Sequence, residues 1–197
     1  MLSTKRMSKL YHINEIFYSL QGEGFHTGRA AVFVRFAGCN LHCPFCDTDF
    51  SHSEPMTAEQ IAERVFAFSS HPDTLIVLTG GEPSLQADDA LLEVLHRHGQ
   101  SIAMETNGTH PVPAAVDWIT VSPKPDSEVV LTKASEVKVV YTGQTADELK
   151  QWRQRIQAAH YFLQPCSCSN TEQVVAFVLA HPKWRLSLQT HKYIHIA

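Results

Sequence analysis

The stretch Gly38-Cys39-Asn40-Leu41-His42-Cys43-Pro44-Phe45-Cys46-Asp47-Thr48 constrains this chain more than any other. Three thiols at spacing C-x3-C-x2-C directly follow an apolar, strand-like run at 31–36, on a segment short enough for the sulfurs to converge on one object. Soft thiolates select zinc, copper(I) or an iron–sulfur cluster, and a [4Fe–4S] cubane has one iron per corner to be ligated. Three cysteines then leave one iron open to a small molecule, as a catalytic zinc site keeps one position free. A zinc knuckle completed by His42 or His52, or three buried thiols, is the alternative that spacing alone leaves standing.

A chain of 197 residues, 44% apolar, can bury a substantial core, and one domain over 1–197 is expected. Net charge is −4 with His neutral and no long Lys/Arg run occurs, which excludes the footprint of a dedicated nucleic-acid binder and favours a small substrate. Residues 1–9 are polar and basic, lack the apolar centre of a signal peptide, and are expected to be disordered. No apolar run approaches the length of about eighteen residues that a membrane span needs. Five cysteines in a reducing compartment point to metal or catalysis rather than disulfides, so the expected location is cytoplasmic.

A moderately apolar segment at 11–20 leads into Gln21-Gly22-Glu23-Gly24, whose glycines permit a tight turn or a close backbone approach. Taken alone, that turn leaves Glu23 solvated. The run 30–36 reads as a strand of a covered parallel sheet, with Arg35 the anomaly. Its guanidinium needs an anion, either a substrate carboxylate or Glu15 or Glu23. Further strands are expected at 75–79, 101–104, 118–121, 136–141 with Lys138 inside, 161–163 and 185–189. Helices alternate with them. Thr57 and Gln60 form a capping box for a helix to Ser69 that buries Ile61, Val65 and Phe68. Ser84 or Asp88 and Asp89 open a second, burying Leu91, Leu92 and Leu95 and closing at Gly99. Thr145 and Glu148 cap a third, burying Leu149, Trp152 and Ile156. Asn170 caps the last, which buries Val174, Phe177 and Val178 and ends at Pro182.

Alternating strands and helices give an α/β fold, a partial, open (β/α) barrel of about six parallel strands. Ligands of such folds bind at the carboxyl ends of the strands. The cysteine loop, Gly80-Gly81-Glu82-Pro83, Glu105, Ser122-Pro123-Lys124 and Gln164-Pro165 all follow strands at that end.

The cysteine loop together with Gly80-Gly81-Glu82-Pro83 resembles the radical S-adenosylmethionine (SAM) superfamily, whose fold is a full or partial (β/α) barrel. More narrowly, the chain resembles the 7-carboxy-7-deazaguanine synthase family of queuosine biosynthesis. That match is carried by Leu20-Gln21-Gly22-Glu23-Gly24, Arg35, Cys46-Asp47-Thr48, Thr79 to Pro83, Glu105-Thr106-Asn107-Gly108, Ser122-Pro123-Lys124 and Leu188-Gln189-Thr190-His191-Lys192.

The resemblance implies that Cys39, Cys43 and Cys46 hold three irons of a [4Fe–4S] cluster while the amino and carboxylate groups of SAM chelate the fourth. It implies SAM contacts from Phe45, Cys46, Asp47, Gly81, Glu82, Ser122, Pro123 and Lys124, and a radical reaction started by reductive cleavage of SAM. The implied substrate is 6-carboxy-5,6,7,8-tetrahydropterin, met by Leu20, Gln21, Gly22, Arg35 and Thr79, with Gln189, His191, Lys192 and the carboxylate of Ala197 closing over it. Glu105 is placed among the catalytic groups, and Thr48 as ligand of a Mg2+ ion that takes its other oxygens from substrate and water. An electron donor such as flavodoxin and a homodimer are implied as well, with no direct nucleic-acid or membrane partner. Cys166 and Cys168 lie outside the pattern and read as inert thiols. A glycyl-radical activase and a zinc-stabilised binding module are the competing readings.

Overall fold

The computed structural model describes residues 9–49 and 52–197. The sheet begins with β1 (Tyr11–Leu20), β2 (Ala30–Phe36), β3 (Glu54–Met56) and β4 (Leu75–Gly80). It continues through β5 (Ile102–Thr106), β6 (Trp118–Val121), β7 (Glu136–Tyr141), β8 (His160–Pro165) and β9 (Arg185–Leu186). The helices are α1 (Ala58–Phe68), α2 (Asp89–Leu95), α3 (Ala146–Arg155), α4 (Thr171–Ala180) and α5 (Thr190–Ile194).

All nine strands form one open sheet in the order β3-β1-β2-β4-β5-β6-β7-β8-β9. From β2 to β9 every pairing is parallel, whereas β1 pairs antiparallel with both β2 and β3. The parallel part therefore has seven strands rather than about six, and the antiparallel edge comes in addition. β3 is too short and too proline-broken to show as a strand in sequence. β9 stops at Leu186 because the next polar side chains turn inward: Ser187 Oγ donates to Gln164 Oε1 at 2.9 Å, and Gln189 reaches Glu23.

Two cores lie against the helices. Ile61, Val65, Leu91, Leu92 and Leu95 pack on β1, β2, β4 and β5, and Leu149, Ile156 and Val174 pack on β7 and β8. Both capping boxes form, at Thr57 with Gln60 and at Thr145 with Glu148. α2 starts from Asp88, whose carboxylate accepts from Leu91 N at 3.1 Å, and Gly99 closes the turn after it at φ +74°.

Several expectations need correction. Phe68 sits on the last turn of α1, 49% exposed, because the chain leaves the helix at Ser69 before that face can meet the sheet. Asn170 occupies the N-cap of α4 without capping it, because its amide bonds Cys166 N and Tyr141 O instead. α4 is followed by α5, so it is not the last helix. No helix crosses between β5 and β6 or between β6 and β7, segments that carry Pro111, Pro113, Pro123 and Pro125. Residues 1–8, expected to be disordered, lie outside the described residues. Lys9 is held, its ammonium 2.6 Å from Gln86 O and 2.7 Å from Asp88 Oδ2. Among the described residues no helix is long and apolar enough to cross a membrane.

Candidate active site

A cleft of about 750 Å³ opens at the carboxyl ends of the parallel strands. That lies within the roughly 300–1,000 Å³ of ligand pockets. Every residue that the sequence placed in the site lines this cleft except Pro123. Pro123 is buried behind the wall and carries Ser122 and Lys124 on either side.

The cysteine loop forms one wall. Gly81 explains its seat: a Cβ there would run into the Gly38 carbonyl, and the backbone bonds Gly81 N to Phe36 O and Glu82 N to Gly38 O hold turn and loop together at 2.9 Å each. Gly80, at φ +113°, makes the same close approach to Phe36. Glu82, expected to meet the cofactor, is 1% exposed and uses both oxygens on the protein. Oε1 accepts from Ser84 N, Ser84 Oγ and Thr106 Oγ1, and Oε2 accepts from Asn107 N at 2.7 Å. It clamps the glycine turn to the end of β5, which makes it a positioning residue.

Cys39, Cys43 and Cys46 are free thiols facing the cleft, and Leu41 N–H donates to Cys39 Sγ at 3.4 Å. Burial pushes the Cys39 thiol up, with Glu82, Cys43 and Cys46 adding to it against the Leu41 bond. A bound metal reverses that balance by deprotonating its thiols. A thiolate set spread along one loop fits a cubane, in which each sulfur takes a different iron. Among the described residues no three His, Cys, Asp or Glu side chains converge as ligands of a single ion.

Opposite the loop, Arg35 Nε donates to Glu15 Oε1 at 2.7 Å, and its guanidinium lies over Phe17, which stacks on Phe33 at 4.9 Å. Of the three anions that the sequence left open, a substrate carboxylate, Glu15 or Glu23, the protein itself supplies Glu15.

The floor is charged and buried. Lys138 Nζ sits 2.5 Å from Glu23 Oε2 and 2.8 Å from Glu105 Oε2, with only 4% of the lysine exposed. Glu105 Oε1 accepts weakly from Gln21 Nε2 at 3.4 Å. Burial would raise the Glu23 carboxyl, yet Lys138, Gln189 and Gln164 pull it down to about 2. Burial pushes Glu105 up, and Lys138 only partly offsets this. The Lys138 ammonium resists burial and is held charged by Glu105, Glu23 and Glu136. Lys124 donates to Ser122 Oγ at 2.6 Å, and burial, with Lys138 nearby, lowers its proton affinity. Sequence reasoning left Glu23 solvated and gave Lys138 no role. A lone lysine in the apolar run Val137-Lys138-Val139-Val140 was the available signal.

The C-terminal tail closes the remaining side. Thr190 N donates to Gly22 O at 2.9 Å, Ser19 Oγ to a carboxylate oxygen of Ala197 at 2.6 Å, and Gln189 Nε2 to Glu23 Oε1 at 3.0 Å. His191 packs where a side chain on Gly22 would stand. Asp47 and Lys192, expected on cofactor and substrate, meet each other instead at 2.5 Å. Gln189 Oε1 is buried without a partner among the described residues, an acceptor aimed at a donor the protein does not supply.

An open (β/α) barrel with a three-cysteine loop after its first parallel strand fits a radical SAM protein, and the Radical SAM superfamily model matches residues 33–132. The chain is 54% identical to the 7-carboxy-7-deazaguanine synthase of Bacteroides thetaiotaomicron over 93% of this chain and 97% of that one. It is 44% identical to that of Bordetella pertussis over 94% and 99%. The crystal structure of QueE from Escherichia coli superposes with a TM-score of 0.77 at 30% identity, covering 92% of this chain and 95% of that one. The chain belongs to the 7-carboxy-7-deazaguanine synthase family.

Proposed function

We propose that this protein is a radical SAM lyase that converts 6-carboxy-5,6,7,8-tetrahydropterin to 7-carboxy-7-deazaguanine with loss of ammonia, a step of queuosine biosynthesis. The observation that carries this reading is the meeting of the thiolate loop, Arg35, Gln21 and the docked tail around one cleft. Cys39, Cys43 and Cys46 would hold a [4Fe–4S] cluster, which supplies the electron that cleaves SAM to a carbon radical. The bare backbone at Gly81 and the polar pair Ser122 and Lys124 line the wall where SAM would lie beside the loop.

The chain's own residues orient the acid. Arg35, fixed at Nε by Glu15, has its remaining guanidinium nitrogens to offer to a substrate carboxylate. Gln189 Oε1 and Glu105 accept from donors of a fused heterocycle, and Leu20, Gly22 and Thr79 bound its edge. The tail, through His191 and Ala197, excludes water from the bound ring. Thr48, half-buried at the cleft, offers one hydroxyl to Mg2+, whose other oxygens come from substrate and water. A single domain, supported by the continuous sheet, a homodimer, a flavodoxin-like electron donor and a cytoplasmic location, supported by five free thiols, complete the reading.

Anaerobically reconstituted protein given the carboxytetrahydropterin, SAM and a reductant is expected to form the deazaguanine acid, detected by mass. Intact pterin after SAM has been cleaved would sink the assignment. Arg35→Ala is expected to keep the cluster absorbance and raise KM at least about ten-fold, the loss of a charge-assisted pair.

A further inference from the structure

Lys138, inside β7, is a buried charge at the cleft to which the proposed reaction gives no task. Along Glu136–Tyr141, alternation sends Val137 and Val139 into the second core and turns Glu136, Lys138 and Val140 to the cleft side. Burying an ammonium there costs free energy, which its two carboxylates offset. Those carboxylates come from different elements, Glu23 from the turn after β1 and Glu105 from the end of β5.

We propose that Lys138 is a positioning residue whose ammonium fixes Glu23 and Glu105 side by side at the cleft floor and turns the second oxygen of Glu105 to the substrate. This rests on the functional reading above. Each carboxylate gives Lys138 its Oε2 and keeps the other oxygen for a different partner. Glu23 Oε1 takes Gln189 Nε2 and so belongs to the tail, whereas Glu105 Oε1 has only the long Gln21 bond and lines the cleft. One member of the pair is committed to closure, the other is free to meet a ligand.

The charges facing Lys138 support the division. Glu136 is engaged by Phe25 N at 2.9 Å and Thr120 Oγ1 at 3.1 Å, so it contributes field rather than contact. Lys124 from the 122–127 turn and, through Glu23, Asp47 and His191 complete the charged and titratable surroundings. The ammonium holds Glu23 ionised, whereas burial, with Glu23 and Glu136 nearby, raises the proton affinity of Glu105 beyond what Lys138 offsets. Two carboxyl groups driven apart in this way can divide acid and base roles.

The test compares wild type, Lys138→Met and Lys138→Arg as anaerobic holoenzyme. Cluster absorbance and SAM cleavage without pterin are measured first and are expected within about two-fold of wild type. Product formation in K138M is expected to fall about 100-fold in kcat/KM, the scale of a misplaced catalytic group, and K138R is expected to recover at least ten-fold of it. The acid limb of the kcat/KM profile should move to higher pH in K138M, because both carboxylates lose the cation that favours their ionised form. Wild-type kcat/KM and an unmoved acid limb in K138M would overturn the proposal, and so would K138R as inactive as K138M. Where urea melts show K138M unfolded, K138R decides: a wild-type acid limb with lowered kcat supports the proposal, and a shifted limb overturns it. A wild type that makes no deazaguanine defeats the functional reading instead. The carboxyl infrared bands of the folded variants then decide, with one further carboxylate titrating above the ordinary range when Lys138 is replaced by Met, and unchanged bands counting against the proposal.

Discussion

Two sides of the same cleft are built on opposite terms. Between Gly38 and Asp49 the loop is tied by Cys46 N to Cys43 O, Leu41 N to Cys39 Sγ, Asn40 to Thr109 and Asn107, and Asp47 to Lys192, while Cys46 remains exposed. By contrast Glu82 and Lys138 are buried, Glu23 and Glu105 are half-buried, and all four are bonded to the protein. On the proposed reading the difference follows from the partner: cysteines that would hold an inorganic cluster keep their sulfurs accessible at the cleft, and binding the metal would complete their order. Carboxylates whose partners are amides and ammonium groups are ordered by folding itself, because an unpaired charge there would cost several kcal/mol.

If that contrast is right, the largest functional effect with the smallest structural cost comes from the loop. Cys43→Ala is expected to lose iron, sulfide and cluster absorbance, and to drop product formation at least about a thousand-fold. The urea midpoint of the metal-free protein should meanwhile change by less than about 1 kcal/mol. A large loss of apoprotein stability would show that the loop is as tightly built as the floor. The reverse holds for Glu82→Ala, which leaves buried donors of Ser84, Thr106 and Asn107 without an acceptor. It should cost about 3–5 kcal/mol of stability in urea.

Acid separates the two sides further. Glu23, at about 2 in the folded protein against 4.5 as the ordinary value, stabilises the fold above 4.5, and that contribution is lost as pH falls toward 2. Glu105 and Glu136, both raised by burial, act in the opposite sense and favour the fold at the acid end. Glu23→Gln should therefore flatten the fall in stability between pH 4.5 and 2, followed by chemical denaturation at each pH. The smallest effect belongs to Asp47→Asn or Lys192→Met. That ion pair is partly exposed, so its loss should cost under about 1 kcal/mol and appear as a few-fold rise in KM that added salt imitates in wild type.

Much of the scaffold was legible because its signals are local. The box residues Thr57 and Gln60 sit in one helical turn, and the strands at 75–79 and 118–121 announce themselves by continuous apolar runs. The glycine pair at Gly80 and Gly81 was visible after its strand and read through the resemblance as a SAM contact, but the close approaches that require bare backbone there are to Phe36 and to Gly38 of the cysteine loop. Other features gave no local signal. β3 has three residues, one of them proline, and is a strand only because β1 offers it an edge. α5 has five residues, too few to be stable by propensity, and is held by Gly22 and Asp47. The prolines at 111, 113, 123 and 125 were visible, yet that they replace two crossover helices depends on how β5, β6 and β7 space themselves in the sheet.

The three clustered thiols at Cys39, Cys43 and Cys46 were legible in the sequence alone. Ligand chemistry is a property of the side chains and their spacing is covalent, so both survive without a fold. The same is true of the polar residues that follow each strand, since chain direction in a parallel sheet puts them at one end. The pairing of charges was decided only by the tertiary structure. Lys138 meets Glu23 across 115 residues and Lys192 meets Asp47 across 145. Such partners are chosen by strand register and loop closure, and a buried ammonium accepts whichever carboxylates the fold brings within about 3 Å.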